Sequence, residues 1–224
     1  MDNTESTAML ERPEFPENRR YARWNKLSTD IRLVEHYVDI LEEMVWAKRG
    51  VDALNEVGPG FATLVAKALM SSLILALGRL LDAPTARKDR FNLSLQGYLE
   101  WIKHDDPNYA TLQADLMNHL TSEVSRLQAD RRWKDSLQPI RHWYEAHSDM
   151  RERIEAKTVR FTVTNVVGFA KDVVSVGSEF GRTVFSNWSG MHTDSQVRAE
   201  AARFVCLIEA GLAAEQLSAG RLDE

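Results

Sequence analysis

The chain has 224 residues, 44% hydrophobic and 27% charged, with a formal net charge of −5. That is globular composition with enough apolar residues for a real core, and a net acidic chain lacks the extended basic surface of a sequence-blind duplex binder, although a small local phosphate site stays open. The single cysteine, Cys206, excludes an internal disulfide and a zinc site built from cysteines.

Eleven glycines and six prolines are few for this length, and long alternating β-branched runs are missing, so the expected class is all-α. The opening Met1–Thr7 is acidic and polar, without the cationic start and apolar run of an export signal, and together with the lone cysteine it gives the expectation of a cytoplasmic protein. Residues 1–27 read as an N-terminal arm. Pro13 and Pro16 interrupt helix formation there, and Arg19, Arg20, Arg23 and Lys26 surround Tyr21 and Trp24. Such an arm either packs its aromatics on the bundle or touches nucleic acid.

From there a single domain, residues 28–220, is expected. Ile31, Val34, Tyr37, Val38, Leu41 and Val45 recur at helical steps and predict a helix over 30–48, ended or bent at Gly50. Val57-Gly58-Pro59-Gly60 is a turn by composition. Phe61–Leu81 is apolar on nearly every side, as a central helix contacted all round would be, and Asp82-Ala83-Pro84 closes it. Its longest apolar run, Ala68–Gly78, is short of the roughly 18 residues that span a bilayer, so no membrane partner is expected. Thr85–Arg90 reads as an exposed loop.

Ser94 caps a short additional helix over 95–103, Asp106 and Pro107 begin another over 107–132, and Leu112, Leu116, Leu120, Val124 and Leu127 form the apolar face of the latter. A further helix follows over 134–147, then a charged connection at 148–160, a helix over 165–185, a loop at Asn187–Gly190, and a last helix from the Thr193–Gln196 capping box to about Ser218.

There is no phosphate-binding Gly-Lys-Ser/Thr loop, no Gly-x-Gly-x-x-Gly turn and no pair of Glu-x-x-His repeats, so no nucleotide cofactor and no di-iron centre are expected; the scattered histidines 36, 104, 119, 142, 147 and 192 give no metal-ligand spacing. Chemistry concentrates in Leu137–Met150, where Arg141, His142, Tyr144, Glu145, His147 and Asp149 fall within nine residues. Arg141 offers a permanent forked cation, and His147 a group that titrates near neutrality. Six residues apart on an ideal helix, their Cβ atoms differ by roughly 120° around the axis, which a long arginine can bridge. The bland alternative is an (i, i+4) ion pair of Arg141 with Glu145, with His147 closing the helix end.

Arg141-His142, then Ala146-His147-Ser148-Asp149 at the end of a bundle helix, resembles the signature of HEPN domains, and the resemblance is closest to their abortive-infection branch in bacterial phage defence. Ser72–Asp82, with its Arg79-Leu80-x-Asp82 close, and Ser94-Leu95 look like the family's earlier elements in the same order, so the match spans about residues 30–185. The resemblance implies an up-and-down helical bundle and a homodimer whose Arg/His motifs share a cleft. In nuclease members it implies metal-independent cleavage of RNA, with Arg141 and His147 catalytic and His142 or Tyr144 positioning the phosphate. A toxin–antitoxin setting is the related expectation. The alternative is a non-catalytic HEPN-like module binding a protein partner or RNA, and a third is a small-ligand pocket beside the 61–81 helix.

Overall fold

The computed structural model describes residues 16–84, 92–141, 163–185 and 195–219, and every regular element among them is a helix. The first, α1, spans Pro16–Leu41. Pro16 opens it, where a missing N–H costs nothing. The stripe of Trp24, Leu27, Ile31, Val34, Val38 and Leu41 is buried along its whole length. The arm expected over residues 1–27 therefore differs from the structure: residues 16–27 are the first turns of a core helix. The proline read as a breaker is its first residue instead.

A single π-helical turn, Glu42–Trp46, links α1 to α2 (Lys48–Val57). Gly50, expected to end a helix, lies buried inside α2. The breaks are Ala47, whose ψ of 130° leaves helical geometry, and Gly58, whose φ of 154° suits glycine. Then α3 runs from Pro59 to Leu81, α4 from Leu95 to Asp105, α5 from Pro107 to Leu112 and α6 from Ala114 to Ala129. The helix expected over 107–132 is thus two, divided at Gln113. A second π-helical turn, Arg132–Leu137, continues into helical residues 138–141. The helices α7 (Val163–Val184) and α8 (Ser195–Ala219) complete the described chain. The expected loops at 85–90 and 187–190 and the connection at 148–160 lie outside the described residues.

Local chemistry sets the starts of α4 and α5. Ser94 Oγ accepts from Gly97 N at 3.0 Å, and Asp106 Oδ1 accepts from Tyr109 N at 3.2 Å, each satisfying an otherwise orphaned helix-start donor. The core is organised by α1, which packs against α3 and α7. Trp24 is fully buried; it stacks on Phe180 of α7 at 6.5 Å and tilts against Tyr98 of α4 at 5.9 Å. A smaller cluster, Met44, Ala53, Leu54, Ala201 and Val205, joins α2 to α8. Ion pairs fasten α8 from outside, Arg198 to Asp39 at 2.9 Å and Arg49 to Glu209 at 2.5 Å.

Helix α3 is central only in its second half, where Leu73, Ile74, Leu77, Leu80 and Leu81 are buried. In its first half Phe61 is 47% and Leu64 65% exposed. Taken whole, α3 is long and apolar enough to cross a membrane, which the shorter run Ala68–Gly78 conceals, and 28% of its most apolar window is buried here.

Because Trp24 joins three helices, Trp24→Ala is expected to cost about 3–5 kcal/mol of unfolding free energy. The check is urea denaturation of the full chain. If residues 16–27 were only an appended arm, the midpoint would barely move.

Candidate functional site

The site is built on the chain that follows α6. At Asp130 the backbone leaves helical geometry, and Asp130 Oδ1 accepts from the backbone N of Arg132 at 2.8 Å, restarting the helix. The Arg132 side chain turns back on the same carboxylate, donating from Nη2 to Asp130 Oδ2 at 2.6 Å, and also reaches Asp172 Oδ2 of α7 at 2.6 Å. Its guanidinium lies 5.3 Å from the centre of the Phe169 ring, on which Trp133 stacks at 6.0 Å. The hydrogen bonds from Arg132 hold the Asp130 carboxyl below its ordinary range against the opposing effect of burial. Arg132 is therefore a fixed strut between α6 and α7, with both of its neighbouring carboxylates committed.

The π-helical turn ends where Gln138 N donates to Trp133 O, with Trp133 and Leu137 buried beneath it. One helical turn later stands Arg141, 8% exposed. Its Nη1 donates to the Gly78 carbonyl at 3.1 Å and to Asp82 Oδ1, and its Nη2 to Asp82 Oδ2 at 2.9 Å. This is a forked guanidinium–carboxylate pair, the strongest geometry available to arginine. Gly78 and Asp82 lie one turn apart at the end of α3, and a Cβ on Gly78 would overlap Arg141 Cδ and Nε. The absent side chain is what lets the arginine lie across the helix.

Arg141 is thus the sequence-predicted residue whose place is seen. His142, Tyr144 and His147 lie outside the described residues, as does Glu145, the partner suggested by (i, i+4) spacing. Among the described residues the carboxylate that the η nitrogens of Arg141 meet is that of Asp82, 59 positions earlier. Sequence reading took Asp82 as part of the helix stop and Gly78 as the end of an apolar run. The signal that could have found them was the Arg79-Leu80-x-Asp82 close of α3. Elsewhere His119 Nε2 meets Glu179 Oε1 at 2.8 Å on the surface between α6 and α7. Among the described residues no group of three or more His, Cys, Asp or Glu side chains is placed to hold a metal ion.

Beside the π-helical turn, an open cleft of about 230 Å³ separates it from the start of α7, lined by Arg131, Asp135, Ser136 and Leu137 on one side and Asn165 and Val166 on the other, with Arg132 at its edge.

The chain matches the family model HEPN_AbiU2, described as AbiU2, over residues 30–203. No curated protein and no solved structure matches it.

The fork changes what is expected of Arg141→Ala. From sequence it should leave the melting temperature alone; with a buried guanidinium removed and Asp82 left facing a gap, it should lower stability by about 1–3 kcal/mol, less than a fully buried pair because the Asp82 side chain is 35% exposed. A double-mutant cycle with Asp82→Ala, read by thermal melting, checks this. Additive effects would show that the two groups do not interact.

Proposed function

The chain belongs to the AbiU2 family of HEPN-like abortive-infection proteins, and from that premise we propose that it is a metal-independent RNA endonuclease of bacterial phage defence. The observation that carries the reading is the anchored start of the motif. Arg141 is pinned to the end of α3, which fixes the residue that His142, Tyr144 and His147 follow in sequence. A catalytic constellation needs such mounting.

In this reading His147 takes the proton from a ribose 2′-OH, the 2′ oxygen attacks the adjacent phosphorus, and the 5′ oxygen leaves with a proton returned by an imidazole. The products are a 2′,3′-cyclic phosphate and a free 5′-hydroxyl, and DNA is no substrate. Asp82 offers Arg141 two oxygens in the fork that a phosphate would also fill, and with its side chain 35% exposed it can yield that fork to a substrate. Arg141 then stabilises charge on the pentavalent phosphorus while His142 or Tyr144 positions it. Two copies facing each other across a shared cleft complete the site.

A second reading rests on the same fork. An arginine 8% exposed, with both η nitrogens occupied, is also what a purely structural role would look like. The protein would then be a non-catalytic module that binds a protein partner or RNA.

Purified protein incubated with RNA in EDTA separates the two. The nuclease reading expects cleavage that His147→Ala reduces by a factor of about 100 or more with an unchanged melting temperature. Cleavage that survives His147→Ala, or no cleavage of any RNA by the unmodified chain, would leave the non-catalytic module standing.

A further inference from the structure

The cleft between the π-helical turn and α7 has no part in that scheme, yet its polar groups are unusual. Arg131 and Asp135 both line it and both are exposed, and neither has an ion-pair partner among the described residues. Four positions apart on an α-helix they would stack and pair. Here the π-helical turn starts directly after Arg131, and no ion pair joins Arg131 to Asp135. A cation and a carboxylate thus stand unpaired with each other in one hollow. Arg132, held through Nε and Nη2 by Asp130 and Asp172, forms an edge, and Leu137 and Val166, each 1% exposed, form the floor.

The ligand that satisfies such a hollow carries an anion and a hydroxyl donor a few ångströms apart. A bare phosphate would face the Asp135 carboxylate with nothing to give it. A ribose-phosphate gives Arg131 its anion and Asp135 a 2′-OH proton, the group by which proteins distinguish RNA from DNA. Ser136 and Asn165 also line the cleft, with a hydroxyl and an amide. Ser136 precedes Arg141 by five residues, about 7 Å along a helix axis, so the cleft lies beside the start of the Arg/His motif.

We propose that this cleft is a subsite for one unpaired RNA nucleotide flanking the cleaved bond, with Arg131 on its phosphate and Asp135 on its 2′-hydroxyl. The inference rests on RNA being the substrate, and adds to that reading the part of the chain that would select it over DNA.

The test measures binding of a fluorescent single-stranded RNA, and of DNA of the same sequence, to the full chain carrying His147→Ala, so that cutting cannot consume the probe. Arg131→Ala should weaken both about five- to tenfold and lower the slope of log affinity against log salt by about 0.7. Asp135→Asn should cut the RNA-over-DNA preference about fivefold, with melting temperatures unchanged in both variants. Both variants binding RNA as the parent does, with the same salt slope and the same preference, would overturn the subsite, as would a parent that binds neither nucleic acid. The two proposals fail separately: RNA that is bound as described but never cut removes the nuclease and keeps the cleft. RNA that is cut while Arg131 and Asp135 prove silent removes the cleft and keeps the nuclease.

Discussion

A guanidinium drawn out of water must be given a counter-charge and acceptors, or the segment that carries it cannot stay buried. Arg141 receives all of these from the end of one helix: the carboxylate of Asp82, and the carbonyl of Gly78 at 3.1 Å, a contact open only because residue 78 has no side chain. The helical residues 138–141 and the C-terminus of α3 are joined there. Around that junction the remaining elements have their places. The second half of α3 is buried against α1, α1 holds α7 through Trp24 and Phe180, and Arg132 ties α7 back to the chain leading into Arg141.

Two arginines nine residues apart are handled in the same way, each seated in a carboxylate fork, while Arg131 between α6 and the π-helical turn has no such partner among the described residues. Seated cations fix geometry, whereas a cation left at the mouth of a hollow has its charge to offer a ligand. This division of labour would let an acidic chain take the nucleic-acid substrate proposed above. The nine Lys and Arg residues against six Asp and Glu over 126–160 matter less as a sum than by which of them are spent within the fold.

What was legible in the sequence was what short-range physics decides. Ser94 and Asp106 were readable as caps because a cap is satisfied within three residues, and the buried stripes of α1 and α4 follow from spacing alone. The helical class followed in the same way, while the family resemblance came from the likeness of the Ser72–Asp82, Ser94-Leu95 and Arg141–Asp149 stretches to known motifs. The errors have equally definite causes. Pro16 was read as a breaker because sequence does not say whether a proline stands first in a helix or inside one. Nothing about Gln113 marks a division, and neither π-helical turn has a compositional signature. The Asp82 partner of Arg141 was missed because the (i, i+4) rule sees only neighbours, and Asp82 arrives through tertiary packing from 59 positions away.

The π-helical turn at Arg132–Leu137 also governs rotational phase. Each residue advances an α-helix by 100° but a π-helical turn by less, so the six residues of this turn carry the chain about as far round as five α-helical ones would. Wound as ordinary helix with all six residues kept, the stretch would swing Arg141 by about 100° away from Asp82. The winding of this short stretch is therefore under tighter geometric control than its residue types. A change from π to α winding here acts as a change of aim, even where every side chain named above is kept.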